Sequence, residues 1–328
     1  MTKQPGTPFI SFREAPEVRF PSHVDCNCPS FWDGDTFYLF TSSNQGPRRM
    51  SGIDQFHLGE PEECFFDNEI EGWRWIEAIW RMEDGTLYGW YHHEFYVCPG
   101  TYLTAPEIGA VKSTDNGLHW TDLGAIITAR PGTIDCGSKN HFFAGGNGDC
   151  SVMLDGNEDY LYLVFTSYAG EIAGQGLTFA RMAWKDRDDP VGKVYKYCDG
   201  KWEEPGLGGR PTTIFKPNVN WMERDVDGFW GPAIHWNTHL KRYVILLNRA
   251  VGAPKWPQEG VYATYSHDLA DPTSWTEPVK IHNGGKWYPV LIDTDIKSRG
   301  TDKLCGKIAR LYLRGISNHE IEFLLGIT

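Results

Sequence analysis

A strand–turn–strand pattern recurs five times along this chain of 328 residues. In each copy an apolar run meets a turn of Asp, Gly or Asn, and a second apolar run follows, as in Trp32-Asp33-Gly34-Asp35-Thr36. This order is typical of a β-hairpin. The copies are residues 31–40, 79–90, 151–165, 233–247 and, interrupted, 287–292 with 307–313. The chain is therefore predicted to be all-β.

The spacing of the copies, about 45 to 80 residues, fits four-stranded propeller blades with loops of variable length. Segments 108–115 and 260–268 read as further strands, each followed by a Trp at 120 or 275. We predict one domain, a five-bladed β-propeller, with blades at roughly 24–70, 73–130, 147–215, 229–282 and 286–328. Residues 1–23 are predicted to form an extended segment that either wraps the barrel or completes the last blade.

Composition limits the partners and the location. The chain has 31 Lys and Arg against 43 Asp and Glu, a net charge of −12, so we expect neither nucleic acid nor an anionic membrane as a partner. No apolar run approaches the roughly 18 to 20 residues that span a bilayer. The start carries no recognisable secretion signal, so a soluble, cytoplasmic protein is expected. The eight Cys are expected to be buried thiols and not metal ligands.

Propeller geometry selects the candidate functional residues. The first strand of each blade lines the axis, so side chains just before it, and just after the second strand, meet on one face. The candidates that precede the first strand of a blade are Asp25, Glu77, Asp149, Trp230 and Trp287. Glu223 and Arg224 also precede blade four. After second strands the candidates are His92, His93, Glu94 and Arg249.

The repeated order of an acid, a small residue, an apolar strand, Asp-Gly and Tyr-Leu resembles the five-bladed glycoside hydrolases of families 43, 32, 68 and 117. Residues 262–269, Tyr-Ala-Thr-Tyr-Ser-His-Asp-Leu, with Trp275 are similar to their blade endings. The resemblance implies a base Asp in blade one, an Asp that orients and tunes the acid in blade two, and an acid Glu in blade three. By position these are Asp25, Glu77 and Asp149.

Two departures from that pattern leave the proton donor open. Blade three has Asp149 where the family has Glu, and the expected Glu-Gly-Pro is echoed one blade later as Trp230-Gly231-Pro232. Our order of preference for the acid is Glu77, then Glu94, then Glu223. Glycoside hydrolysis needs one protonated and one ionised carboxyl group, and converging carboxylates raise each other's pKa.

Each candidate also has a structural interpretation. Asp25 and Asp149 are equally well explained as turn residues, whereas Glu77 lies in so apolar a run that it must be paired or functional. Neighbouring strand residues face opposite sides, so only one of His92 and His93 faces the pocket, where it holds a substrate hydroxyl or a central cation. Trp230 and Trp287 are candidates for stacking on a sugar, and Arg224 and Arg249 for binding an acidic sugar.

The Ser-x-Asp-x-Gly-x-x-Trp segment at 113–120 matches the structural Asp box.

We predict a carbohydrate-active hydrolase, with a non-catalytic propeller that binds carbohydrate or protein as the alternative. No cofactor is required; a structural cation such as calcium in the central channel is the one ion left open. The sequence leaves the oligomeric state open.

Overall fold

The computed structural model describes residues 8–252 and 256–326, and these form five mainly antiparallel sheets around one axis. The predicted all-β five-bladed propeller is confirmed. Four single-turn 3₁₀ helices interrupt the connections, at Ile172–Gly174, Trp184–Asp186, Pro272–Ser274 and Ile296–Ser298. Within the described ranges no helix is long and apolar enough to cross a bilayer.

The first two blades follow an N-terminal strand, β1 (Pro8–Arg19). Blade one contains β2 (Ser30–Asp33), β3 (Thr36–Ser43), β4 (Gly46–Gly52) and β5 (Glu62–Glu63). Blade two contains β6 (Phe65–Phe66), β7 (Trp73–Arg81), β8 (Leu87–Glu94), β9 (Glu107–Ser113) and β10 (His119–Ile127). β6 lies within the range predicted for blade one but pairs in parallel with β10 of blade two.

Blade three is the largest sheet. It contains β11 (Asn147–Leu154), β12 (Tyr160–Ser167), β13 (Gly176–Ala183), β14 (Val194–Cys198), β15 (Lys201–Pro205) and β16 (Thr213–Phe215). The first two strands form the hairpin that the sequence predicts, and every residue of β11 is buried.

The rest of the chain supplies blades four and five. It contains β17 (Asp227–Asn237), β18 (Arg242–Val251), β19 (Gln258–Ser266), β20 (Val279–Asn283), β21 (Pro289–Asp293), β22 (Leu304–Cys305), β23 (Ile308–Leu313) and β24 (Ile316–Leu325). β22 pairs in parallel with β17 and belongs to the blade-four sheet. β21, β23, β24 and β1 form blade five.

The N-terminal strand completes the last blade. β1 runs antiparallel to β24, from Pro8 opposite Leu325 to Arg19 opposite Ile316, with a bulge between Glu14 and Val18. Of the two predicted arrangements for the N-terminal segment, the completing strand is therefore found; residues 1–7 lie outside the described part of the chain.

The core is divided into apolar clusters between neighbouring blades. Trp90 of blade two packs with Leu163 of blade three, and Leu247 of blade four packs with Phe179 of blade three. Leu246 meets Leu311 between blades four and five. Phe37 and Tyr312 meet between blades one and five, and Phe40 and Trp120 between blades one and two. Each blade is thus held on both sides.

The cysteines depart in part from the prediction. Cys98 and Cys136 form a disulfide that joins two loops, so the expectation of a thiol is wrong for this pair. The other six Cys are free and buried, as expected. Disulfides persist mainly in oxidising compartments, so this bond does not favour the expected cytoplasmic location.

Removing residues 1–19 should lower the melting temperature by several degrees or more, because β24 loses its antiparallel partner and the blade-five core loses Ile10 and Phe12. Differential scanning calorimetry measures the effect. Arg13→Ala, which removes only an exposed side chain of β1, is the control and should leave the midpoint unchanged. An unchanged midpoint for the truncated chain would show that β1 does not hold the ring closed.

Candidate active site

A cavity of about 330 Å³ opens on the axial face where the first strands begin. Three carboxylates line it: Asp25 before blade one, Asp149 at blade three and Glu94 at the end of β8. Five indole rings form much of the wall, from Trp73, Trp75, Trp230, Trp256 and Trp287. Acids from three blade positions therefore meet in one aromatic pocket.

Beneath this cavity lies a buried group formed by Glu77, His92 and Asp149. Their side chains are almost fully buried, and one potential ligand atom from each lies within 4.8 Å of the others. β-Bulges help to turn two of them to the axis. The ladder of β7 shifts between Ile76 and Ala78, and that of β11 shifts between Gly148 and Cys150, so each bulge contains one acid.

Glu77 is held by the backbone of blade one. Its Oε2 accepts the N–H of Asn27 at 3.1 Å. Burial and the nearby charge of Asp149 raise the pKa of Glu77 to about 8, against the opposing effects of His92 and of the Asn27 hydrogen bond. Because Glu77 and Asp149 interact strongly, the pair as a unit retains a proton at neutral pH.

His92 connects the buried acids to Glu94. Its Nδ1 accepts the backbone N–H of Asp149 at 2.9 Å, which assigns the ring proton to Nε2, the atom that donates to Glu94 at 2.9 Å. Burial lowers the pKa of His92, but the Glu94 bond and the charges of Asp149, Glu94 and Glu77 outweigh it and raise the pKa to about 9. When Glu77 and Asp149 share a proton, the negative charge around His92 is smaller. The hydrogen bond that Nδ1 accepts from the backbone N–H of Asp149 then favours the neutral imidazole.

Asp149 combines burial with a constrained backbone. Tyr168 donates its hydroxyl to Oδ2, and the residue has a positive φ of 44°. Burial raises the pKa of Asp149, against the opposing effects of His92 and Tyr168. Other non-glycine residues with positive φ also line the cavity: His141, Trp256 and Tyr288. Strained backbone is thus concentrated at this site, as is common where side chains must be held for function.

Asp25 is the more accessible acid. Its backbone N–H donates to Ser42, and its Oδ1 lies 3.7 Å from Nη2 of Arg314 with no hydrogen-bond partner among the described residues. Burial raises the pKa of Asp25, while the charges of Arg314 and His23 oppose the shift. A carboxylate with an unused oxygen in a cavity can accept a hydrogen bond from water or a ligand.

The aromatic wall has a rigid inner layer and a more open rim. Trp230 is 2% exposed, and its indole N–H donates to Gln258. Trp287 is only partly buried and donates to the carbonyl oxygen of Trp256. Tyr102, at 82% exposure, stands at the rim. Of the two predicted stacking residues, Trp287 offers a face to a ligand and Trp230 supports the wall.

Six predicted site residues do not line the cavity. Two of them, Glu77 and His92, lie in the buried group beneath it, so His92 does not face the pocket as expected. The other four lie farther away. Glu223 is exposed and pairs with Lys139 at 3.2 Å, and its neighbour Arg224 is also exposed. Arg249 forms a double ion pair with Asp227 at 2.7 and 2.8 Å. His93 faces away from His92, as strand alternation requires, and contacts Glu107 at 2.9 Å. The structure therefore does not bring these four to the axial acids.

Sequence reasoning missed several cavity residues. Tyr96, Tyr102, Thr104 and Phe142 line the cavity and come from loops that follow no strand rule. Thr104 matters because its hydroxyl donates to Oε2 of Glu94 at 3.1 Å. In the sequence, Thr104 is marked only by its position near Cys98, in the loop between β8 and β9.

The buried group is a poor match for the calcium left open by the sequence. Calcium takes six to eight oxygen ligands, whereas this group offers two carboxylates and an imidazole. Both nitrogens of His92 already have hydrogen-bond partners, and Glu77 accepts from Asn27. The residues fit a proton-sharing network better than a calcium ion.

No protein-family model matches the chain, and no curated protein does. Solved structures do. A thermostable family-43 glycoside hydrolase superposes with a TM-score of 0.55 at 10% identity, covering 93% of this chain and 91% of that one. The propeller is the fold of these enzymes.

Further solved structures agree. The catalytic domain of Coprinopsis cinerea GH62 alpha-L-arabinofuranosidase has a TM-score of 0.54 at 9% identity and covers 97% of each chain. An exo-1,5-alpha-L-arabinanase from a bovine ruminal metagenomic library has a TM-score of 0.54 at 12% identity, covering 92% of this chain and 94% of that one. At these identities the similarity establishes the shared fold.

Gly148→Ala should destabilise the protein by about 1 to 3 kcal/mol, because the new Cβ would lie 2.5 Å from Cε1 of His92 in a closely packed site. Chemical denaturation measures the free energy of unfolding. Gly156→Ala is the matched control, since a Cβ there meets nothing within 4 Å. Equal effects of the two substitutions would contradict the tight contact between Gly148 and His92.

Glu77 should make stability depend on pH. Its pKa is about 8 in the folded chain against an ordinary value of 4.5, so the folded state binds the proton more tightly. The stability gained is full below pH 4.5 and is lost as pH rises toward 8. Glu77→Gln, which keeps an acceptor for Asn27, should remove about 1 kcal/mol or more of the decline between pH 5 and 8. Denaturation at several pH values measures it, and Glu223→Gln should retain the wild-type decline.

Proposed function

We propose that this protein is a glycoside hydrolase that acts at the axial cavity of the propeller on an oligosaccharide or glycoside. One observation carries the proposal: Asp25, Glu94 and Asp149 converge on a single cavity walled by indole rings. Glycosidic bond cleavage requires a proton donor and an ionised carboxylate on either side of the sugar, and aromatic faces bind sugar rings by stacking. The shared fold with glycoside hydrolases supports the same function.

In this proposal Asp149 is the proton donor. It lines the cavity, and burial raises its pKa. Glu77, the first choice from sequence, is 1% exposed and does not line the cavity, so it acts through Asp149 by sharing a proton with it. Glu94 is a less suitable donor, because its two oxygens already accept hydrogen bonds from His92 and Thr104.

Asp25 is the base. The carboxylate lines the cavity, its buried Oδ1 has no hydrogen-bond partner among the described residues, and Arg314 at 3.7 Å from that oxygen favours the ionised form. The raised pKa of Asp25 makes its carboxylate a stronger proton acceptor once ionised. Glu94 holds His92, and His92 holds the backbone of Asp149, so these two residues position the donor.

The substrate is a sugar whose reacting ring stacks on Trp287 in the cavity. A volume of about 330 Å³ is at the low end for small-ligand sites, so little more than the reacting unit is enclosed. No cofactor takes part in this scheme.

A second candidate is a propeller that binds carbohydrate without cleaving it. It is favoured by the absence of the expected Glu-Gly-Pro: its echo, one blade late, has Trp230 in place of Glu, and Trp230 is a buried wall residue. The two candidates differ in whether the axial acids are needed for turnover or only for binding.

Asp25→Asn and Asp149→Asn should each lower turnover of oligosaccharides by about 100-fold or more, because each removes one group of the acid–base pair. With aryl glycosides Asp149→Asn should have a smaller effect, because p-nitrophenolate leaves without needing a proton. Asn also tolerates the positive φ of position 149, so the fold should be retained. Release of p-nitrophenol from aryl glycosides of arabinose, galactose and xylose, and sugar release from arabino- and β-1,3-galacto-oligosaccharides, give the rates.

Glu223→Gln is the control, since Glu223 is an exposed acid outside the cavity, and should keep the wild-type rate. Turnover that survives both axial substitutions would contradict the catalytic proposal. Sugar binding by a wild-type protein that cleaves none of these substrates would favour the non-catalytic candidate.

A further inference from the structure

A second cavity, of about 680 Å³, lies beside the first on the same face of the propeller. It opens between residues 130–135 and residues 169–174. Asn147, the first residue of β11, and Ser167, the last of β12, are opposite each other in the ladder and both line it. Since Asn147 is two residues before Asp149, the second cavity begins where the candidate proton donor is held.

The side chain of Asn147 has an unmet hydrogen-bonding group. The residue is 2% exposed, and its Oδ1 is buried with no hydrogen-bond partner among the described residues. A buried amide oxygen without a partner costs about 1 to 3 kcal/mol, and such groups are rare unless they serve a ligand or a water molecule. A hydroxyl group in the cavity would satisfy it.

The lining differs in kind from that of the first cavity. Among the described residues that line it, none is aromatic. Its lining combines polar side chains such as Asn147, Ser167 and Thr133 with charged and aliphatic ones such as Lys196 and Ile134. Such a surface recognises a ligand through hydrogen bonds and not through stacking.

A ridge of residues 140–143 separates the two cavities and is fixed from below. The side-chain amide of Asn140 donates to the carbonyl oxygens of Phe143 and Trp221, and Lys139 N–H donates to the carbonyl of Met222. The exposed residue His141 forms the crest, and it also lines the first cavity. A ligand long enough to cross His141 could occupy both cavities at once.

We propose that the second cavity binds further sugar units of an oligosaccharide whose reacting unit lies in the aromatic cavity. This inference rests on the proposed function and extends it: the substrate is a hydroxyl-rich chain of several units, and Asn147 is a specificity-determining residue. The second cavity has about twice the volume of the first, so it has room for more than one unit.

The test measures how affinity depends on chain length. Isothermal titration calorimetry with arabino- and β-1,3-galacto-oligosaccharides of one to four units is carried out on the Asp149→Asn protein, which lacks the proposed proton donor, and on the same protein with one of three further substitutions. Asn147→Leu removes the amide at similar size, and Ala173→Trp fills the cavity from an exposed lining position. Ala270→Trp is the matched control at an exposed alanine outside both cavities.

We expect affinity in the Asp149→Asn parent and with Ala270→Trp added to rise about tenfold between one and three units, and this gain to be lost when either cavity substitution is added. Asn147→Leu should also be as stable as wild type or more so, because it removes a buried group without a partner. Lower stability together with weaker binding of every ligand would indicate a structural role and overturn the inference.

The outcomes separate the two proposals. Turnover of aryl glycosides with no gain from chain length overturns the second-cavity inference alone. A length-dependent gain without turnover overturns the hydrolase proposal alone. Failure to bind or cleave any of these sugars overturns both.

Discussion

The antiparallel pairing of β1 with β24 is the interaction on which the rest of the propeller depends. Each blade is stabilised by an apolar cluster on either side, and a ring satisfies this for every blade only when it is closed. Closure also fixes the axis, because the first strands of the blades can converge only when the angles between all five are set. The position of every acid in the candidate site follows from it.

The axial acids lower the electrostatic stability of the folded chain, and the packing of the blades has to offset this loss. Glu77 and Asp149 are almost fully buried and close to one another, so both cannot be ionised at neutral pH without a large penalty. A shared proton reduces that penalty and at the same time provides a group that can release a proton. Bulges in β7 and β11 and positive φ angles at four cavity residues add local strain. Stability elsewhere in the blades compensates for a site that is unfavourable by itself.

The hairpin repeat was sufficient to predict the five blades and the general position of Asp25, Glu77 and Asp149, because strand alternation and turn residues are local signals. The bulges were not predictable, since nothing in Trp75-Ile76-Glu77-Ala78 marks a ladder shift. For that reason the sequence did not reveal that Glu77 lies beneath the cavity and Asp149 in its wall. Arg249 was misleading because its partner, Asp227, is close only after β17 and β18 pair. The disulfide also depends on a contact between distant segments, because it joins a loop within blade two to the connection between blades two and three.

The closing pair of strands also has a consequence for how the chain is made. β1 is the first described strand to leave the ribosome and β24 is the last. β1 therefore has no strand partner until almost the whole chain has been synthesised. Until then blade five lacks one side and β1 exposes unpaired backbone groups, which favours association with other chains. Because the contacts that complete the ring are so distant in sequence, folding should be slow and limited by the final strand.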